Sequence, residues 1–190
     1  DAAKKFGYGA IRYFLLASHY RNPVNFSEAI LAQSAAALER LQNCRETLAF
    51  RLENAGNATD APSLAAEAEQ IMARKADFLA AMDDDFNTAN AIAVLFEITR
   101  DINTLLKNES VSADILRTLL GFYDELLGLF GFLPEEKTVD GDAEIEALVA
   151  ERTKAKKEKD YQKADELRAR LKEMGVTLED TPQGTKWKKA

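Results

Sequence analysis

Apolar residues recur at intervals of three and four along most of this chain, the spacing that lines side chains up on one face of an α-helix. Ile11, Phe14, Leu15 and Ala17 make a short first stripe that ends at Ser18-His19-Tyr20. Asn22-Pro23 then leaves the helical region, because proline disfavours it in the residue before. Ser27 is a cap for a second helix over 27–54, with Ile30, Leu31, Ala35, Leu38, Leu41, Leu48 and Leu52 on its stripe and Gly56-Asn57 as its stop. Asp60-Ala-Pro-Ser63 reads as a linker with its own cap, and a third helix runs from Ala65 to Met82 through Ala68, Ile71, Met72, Ala76 and Leu79. A fourth starts at Asp85 or Asn87 and holds Ile92, Leu95, Phe96, Ile98, Ile102 and Leu105. A fifth starts at Ser112 and carries Ile115, Leu116, Leu119, Leu120, Tyr123, Leu126 and Leu127, until Gly128 and Gly131 break the pattern.

Consecutive amphipathic helices on short loops bury their stripes only against one another, so residues up to 133 are expected to form an antiparallel helical bundle. The charged, nonperiodic stretch 134–141 suits a domain boundary. Beyond it, Asp142 to Met174 reads as one more helix, with Ile145, Leu148 and Val149 early, Ala164, Leu167 and Leu171 late, and Gly175 as a left-handed stop. Residues 176–189 alternate apolar and polar positions on each side of Pro182-Gln183-Gly184, the pattern of a hairpin. The predicted fold is therefore mainly α, a helical bundle followed by a small α+β appendage at 142–190.

Composition narrows the classes. The 190 residues are 46% hydrophobic and 30% charged with 9 Gly and 4 Pro, a poor fit to disorder, collagen-like repeats or a membrane protein. The one cysteine, Cys44, excludes an internal disulfide framework, and with one histidine, His19, it leaves too few soft ligands for a tetrahedral zinc site. No basic, apolar leader opens the chain, which argues for a reducing cytoplasm, and Asp1 in place of an initiator Met points to a processed or truncated product. The net charge of -7 is unevenly spread: residues 1–140 carry 13 Lys+Arg against 21 Asp+Glu, and residues 141–190 carry 12 against 11. Nine of those bases, among them Lys156, Lys163, Arg168 and Arg170, fall between Arg152 and Lys172, either as a solvated, charge-laced helix or as a cationic binding surface.

No catalytic constellation stands out. Asp83-Asp84-Asp85 is the densest carboxylate run, but it lacks the ligand spacing of a calcium loop, and capping of the following helix is the better reading. His19 has no nucleophile or second acid beside it, and Cys44 sits at an interior helical spacing without a flanking base, so both read as structural. Gly-rich phosphate loops are absent. The appendage offers binding chemistry instead: Tyr161 lies within the basic helix and Trp187 lies between Lys186 and Lys188, and aromatic faces beside cations hold unpaired nucleotides. Asp165 and Asp180 are candidates for accepting from the two N–H donors of a guanine edge. Trp187 as a lid on the hairpin and Asp180 as a turn former remain equal alternatives.

Four segments, in order, carry a resemblance: Arg12-Tyr-Phe-Leu-Leu-Ala-Ser-His-Tyr-Arg21 with Pro23-Val-Asn-Phe-Ser-Glu28, then Ala81-Met-Asp-Asp-Asp-Phe-Asn-Thr88, Lys159-Asp-Tyr-Gln-Lys-Ala-Asp165, and Gly175-Val-Thr-Leu-Glu-Asp-Thr-Pro-Gln-Gly-Thr-Lys-Trp187. Together they resemble the C-terminal part of bacterial cysteinyl-tRNA synthetases over nearly the whole chain. The resemblance implies that the chain begins after the K-M-S-K-S loop of a class I synthetase, with the N-terminal catalytic domain missing. The ATP and magnesium, cysteine and zinc sites of the intact enzyme would lie in that domain, so no catalytic residue, metal site or cofactor is assigned here.

The same resemblance implies a stem-contact segment at 1–26, a tRNA-facing helical bundle at 27–133, a linker at 134–141 and an anticodon-binding domain at 142–190. The implied partner is the tRNA for cysteine, with anticodon GCA, in the cytoplasm and away from any membrane. The positions matching the anticodon reader are Lys156, Asp160, Tyr161, Asp165, Arg168, Asp180 and Trp187. Tyr161 and Trp187 would stack, Asp165 and Asp180 would bond base edges, and Lys156 with Arg168 would meet phosphates or bases. Lys156 and Tyr161 stand where many relatives have Arg and Trp, which removes a bidentate fork and shrinks a ring. The implied function is tRNA recognition within a ligase that joins cysteine to its tRNA, this portion alone being non-catalytic. The alternatives are a helical protein–protein interaction module without RNA binding and a tRNA-independent ligase relative of the same fold.

Overall fold

The computed structural model describes residues 2–55, 62–134, 142–158, 160–181 and 184–189. The predicted stop at Gly56-Asn57, half of the linker at 60–63, most of that at 134–141, and the turn residues Pro182 and Gln183 lie outside the described residues; Pro62 and Ser63 are already helical, so Ser63 is not the cap expected before Ala65. The chain divides into two compact units, 1–134 and 135–190.

The first unit holds α1 (Ala2–Leu16), α2 (Glu28–Glu53), α3 (Pro62–Ala73), α4 (Lys75–Asp83), α5 (Thr88–Leu105) and α6 (Ala113–Phe130). Three starts are set by the side chains that the sequence marks as caps: Ser27 accepts from the Ile30 N–H, Asn87 from Asn90 and Ser112 from Ile115. Asn87, rather than Asp85, is the cap of α5. The core is one cluster in which Leu41 and Leu48 of α2, Leu95, Ile98 and Ile102 of α5, and Leu119, Tyr123 and Leu126 of α6 are fully enclosed. The stop of α6 is Gly131, at φ 63°, and Arg12 of α1 donates to its carbonyl at 2.6 Å. A Cβ there would stand 2.5 Å from the Arg12 guanidinium, which would have to move aside, and the left-handed backbone is what favours glycine.

Two further sequence expectations need correction in this unit. The first stripe is offset: α1 buries Ala10, Tyr13 and Phe14, while Leu15 is exposed, and a non-helical Gly7 at φ 78° kinks the helix. α1 packs along α2, and Tyr13 joins the central core. The third helix is two, divided at Arg74, whose N–H bonds the Ile71 carbonyl in a tighter turn. The Arg74 side chain reaches across to α5, bonding Asp101 at 2.8 Å and Glu97 at 2.7 Å, and the buried residue after the break is Phe78 rather than Leu79.

Arg51 is another residue that the pattern left unmarked. It is buried in α2 and donates to the carbonyls of Leu106, Asn108 and Glu109, at 2.8, 3.0 and 3.3 Å. A cation thereby closes the C-terminal end of α5, where unbonded carbonyls and the helix dipole favour positive charge.

The second unit holds α7 (Asp142–Lys157), α8 (Tyr161–Glu173), β1 (Val176–Thr181) and β2 (Gly184–Lys189). The single helix expected over 142–174 is thus a helical hairpin. Asp160 causes the break: its carboxylate accepts from the Lys163 N–H at 3.1 Å and starts α8, while its own N–H turns back to the Ala155 carbonyl at 2.9 Å. Gly175, at φ 75°, follows α8 as expected. The two strands pair antiparallel, with Val176 opposite Lys189, Leu178 opposite Trp187 and Asp180 opposite Thr185. A small core gathers Ile145, Leu148 and Val149 of α7, Leu171 of α8 and Val176 of β1.

Candidate nucleic-acid interface

Within the second unit α8 has three longitudinal strips. Ala164, Leu167 and Leu171 face the small core. On one flank Lys163 pairs with Glu151 at 2.7 Å and Arg170 with Glu144 at 3.0 Å, so α7 neutralises two of the bases that the sequence offered to a ligand. The hydrogen bond and attraction between Lys163 and Glu151 hold the ammonium above its ordinary pKa and the carboxyl below its own. The other flank carries Tyr161, Asp165, Arg168 and Lys172, at positions i, i+4, i+7 and i+11. All four are exposed, Tyr161 at 63%, and none of their side chains has an ion pair or hydrogen bond among the described residues.

The structure brings Tyr161, Asp165 and Arg168 onto one face, together with Lys172, which sequence reasoning counted only as part of the basic run. Helical spacing alone links these four. Lys156 is exposed near the end of α7 and precedes the turn into α8. Asp160 has a structural task as the α8 cap. The Trp187 ring is half-buried and packs against the small core from β2. Asp180 lies in β1, and its side chain is outside what the structure describes. Arg152 is buried and reaches Thr185 Oγ1 of β2 at 3.4 Å, so it belongs to the scaffold.

An exposed ring, a carboxylate and two cations in line on a helix supply a stacking face, an acceptor for base-edge donors and phosphate-binding charges. They supply no nucleophile with an adjacent base. Among the described residues no three His, Cys, Asp or Glu side chains converge as a metal-ligand set, and no helix is long and apolar enough to cross a membrane.

The other sequence candidates sit in the first unit. Asp85 accepts from the Tyr20 hydroxyl at 2.9 Å and pairs with Arg21 at 3.0 Å, tying the α4–α5 turn to the α1–α2 loop. His19 stacks on Tyr20 with ring centroids 4.8 Å apart, and its Nδ1 accepts from the Arg21 N–H. Cys44 is buried, with Sγ 4.0 Å from the Thr99 carbonyl.

Comparison with known families matches residues 77–134 to the DALR domain and residues 138–187 to the cysteinyl-tRNA ligase anticodon binding domain. Cysteine–tRNA ligases are similar along the whole chain: that of Clostridioides difficile is 41% identical over 192 residues, that of Bacillus pumilus 39% over 191 and that of Pediococcus pentosaceus 40% over 190. The chain spans about 40% of the length of these curated relatives. The anticodon binding domain match covers the unit in which α8 presents its unpartnered flank, the DALR match covers most of α4 with α5 and α6 and the turns between them, and the relatives cover the remainder, so the chain belongs to the cysteine–tRNA ligase family as a portion carrying these two domains.

Proposed function

We propose that the chain is the tRNA-recognition portion of a cysteine–tRNA ligase and that its second unit reads the anticodon GCA. The observation that carries this reading is the exposed flank of α8, with Tyr161, Asp165 and Arg168 in line, inside the segment that matches the anticodon binding domain. Tyr161 stacks on an unpaired base, Asp165 accepts from a base edge, and Arg168 holds a phosphate or base. Lys156 and Asp180 complete the surface, while Asp160 and Trp187 fix the helix start and hairpin that present it.

The intact parent joins cysteine to its tRNA in two steps, adenylation with ATP and transfer to the terminal ribose, in the cytoplasm. ATP with magnesium and the zinc ion belong to the parent's catalytic domain, outside these 190 residues. This portion alone does not aminoacylate.

The test is binding of the chain to a tRNA bearing GCA and to the same tRNA with its first anticodon base changed, at two salt concentrations. The expected result is a preference for GCA of about 1–3 kcal/mol that survives higher salt and is lost in Asp165→Ala. Tyr161→Ala weakens both RNAs by about 1–3 kcal/mol. Equal affinity for both tRNAs at both salt concentrations refutes the anticodon reading.

A further inference from the structure

The first unit exposes large apolar side chains on one set of elements only. Among the described residues they lie on α1, the α1–α2 loop, α4, the α4–α5 turn and the C-terminal end of α6, while α2, α3 and α5 expose none. Those elements are joined to one another. Arg12 of α1 reaches the Gly131 carbonyl after α6, Thr88 Oγ1 donates to the Leu16 carbonyl at 2.7 Å, and Phe78 of α4 meets Phe130 of α6 with ring centroids 5.5 Å apart. Exposed apolar surface gathered in this way marks an interaction site.

Phe86 is the least expected of these residues. Its ring is 69% exposed, and its backbone sits in the left-handed region at φ 53°, directly after Asp85 at φ 52°. A bulky side chain is a steric outlier there, where Gly or Asn is at ease. Neither burial nor backbone preference therefore explains a phenylalanine at this position. The conformation is imposed from around it. The N–H groups of Phe86 and Asn87 bond the Met82 and Ala81 carbonyls at 3.1 and 3.2 Å, and Asn87 caps α5. The Asp85 carboxylate is held by the Tyr20 hydroxyl and by Arg21. Tyr20 is itself 62% exposed, so two aromatic side chains mark the join between the turn and the α1–α2 loop. Strain fixed by several independent bonds persists where the residue it presents has a task.

We propose that Phe86, with Tyr20, anchors a docking surface for the part of the intact ligase that lies outside these 190 residues. This rests on the reading of the chain as a portion of a longer ligase and not on the anticodon reading. The chain spans about 40% of the length of its relatives, so the larger part of such a protein is there to occupy the surface. Polypeptide preceding residue 1 enters through α1, one of the elements that carry the exposed apolar side chains, so this occupant is tethered at the surface it covers. Tethering removes most of the translational cost of association, and a small apolar contact then suffices.

The test is Phe86→Asn, made both in the 190-residue chain and in the intact ligase, with hydrogen-exchange protection factors of the amides from Asp85 to Thr88 as the readout. Before substitution, protection is expected to be about tenfold to a hundredfold higher in the ligase, the effect of burying one aromatic ring. In the chain, Phe86→Asn raises protection, because Asn accepts the left-handed backbone. In the ligase it lowers protection by about tenfold or more, and Phe86→Leu, which keeps an apolar anchor, retains most of it. Equal protection in the two unsubstituted proteins, or a rise in both on substitution, overturns the proposal. Lower protection in the chain itself also overturns it, because the surface is then covered within the chain or, if the loss depends on concentration, by a second copy. A rise in both proteins accompanied by weaker tRNA binding assigns the surface to RNA and overturns it as well. Protection is measured without RNA, so a failed anticodon preference leaves this result standing.

Discussion

Replacing Tyr123 by Phe should reverse the sign of its effect on stability between neutral and alkaline pH. Tyr123 is fully enclosed in the core of the helical unit. Thr99 gives its one hydroxyl proton to the Leu95 carbonyl at 2.7 Å, so the Tyr123 hydroxyl donates to Thr99 Oγ1 at 2.7 Å, with Leu41 O at 3.3 Å as a longer second acceptor. Deleting that hydroxyl removes a buried hydrogen bond but leaves Thr99 bonded to Leu95, so near pH 8 the variant should lose about 1 kcal/mol.

Burial pushes the Tyr123 phenol well above its ordinary value of 10.0. A folded-state pKa that is raised means that its contribution is complete below about pH 10 and declines as pH rises, because only the unfolded chain releases the proton. One proton contributes at most about 1.4 kcal/mol per pH unit, so at pH 11 the parent has lost about 1.4 kcal/mol that the variant has not. The parent should therefore lead by about 1 kcal/mol at pH 8 and trail by about 0.4 kcal/mol at pH 11. Urea unfolding followed by far-UV circular dichroism measures both gaps, and groups that titrate alike in the two proteins, Tyr13 included, cancel in the difference. The same gap at both pH values would falsify the account.

Arg51→Met should cost about 2 kcal/mol in the same urea assay at pH 7, because the buried carbonyl of Leu106 is stranded while those of Asn108 and Glu109 turn to water; a loss below about 0.5 kcal/mol contradicts the capping role. Asp160→Ala should destabilise the second unit by about 1 kcal/mol, with Asp160→Ser restoring most of it. Trp187 is the only tryptophan of the chain, so its fluorescence follows that unit, and an unchanged unfolding midpoint refutes the cap.

The existence of the helices was legible because Leu41, Leu48, Leu95, Ile98 and Ile102 recur with helical spacing, and Ser27, Asn87 and Ser112 stand where caps belong. The break at Arg74 was not, since no glycine, proline or capping side chain marks it. The break at Asp160 had a local signal, an Asx side chain able to cap, which the continuing apolar period of Ala164, Leu167 and Leu171 concealed. Of the candidate interface, Tyr161, Asp165 and Arg168 could be placed together once α8 was recognised. Which bases α7 absorbs could not: Lys163 and Arg170 look the same as Arg168 in a one-dimensional reading, and only the pairing of two helices sorts them.

That sorting separates two kinds of mutational freedom on a single helix. Changes at Lys163 or Arg170 alter how α8 is held against α7, whereas changes at Tyr161, Asp165, Arg168 or Lys172 alter only what the unit shows to solvent. Substitutions on the second flank are thus close to neutral for folding, so under the proposed anticodon reading a lineage can retune the RNA it prefers by one helix strip without first acquiring a compensating change in the scaffold.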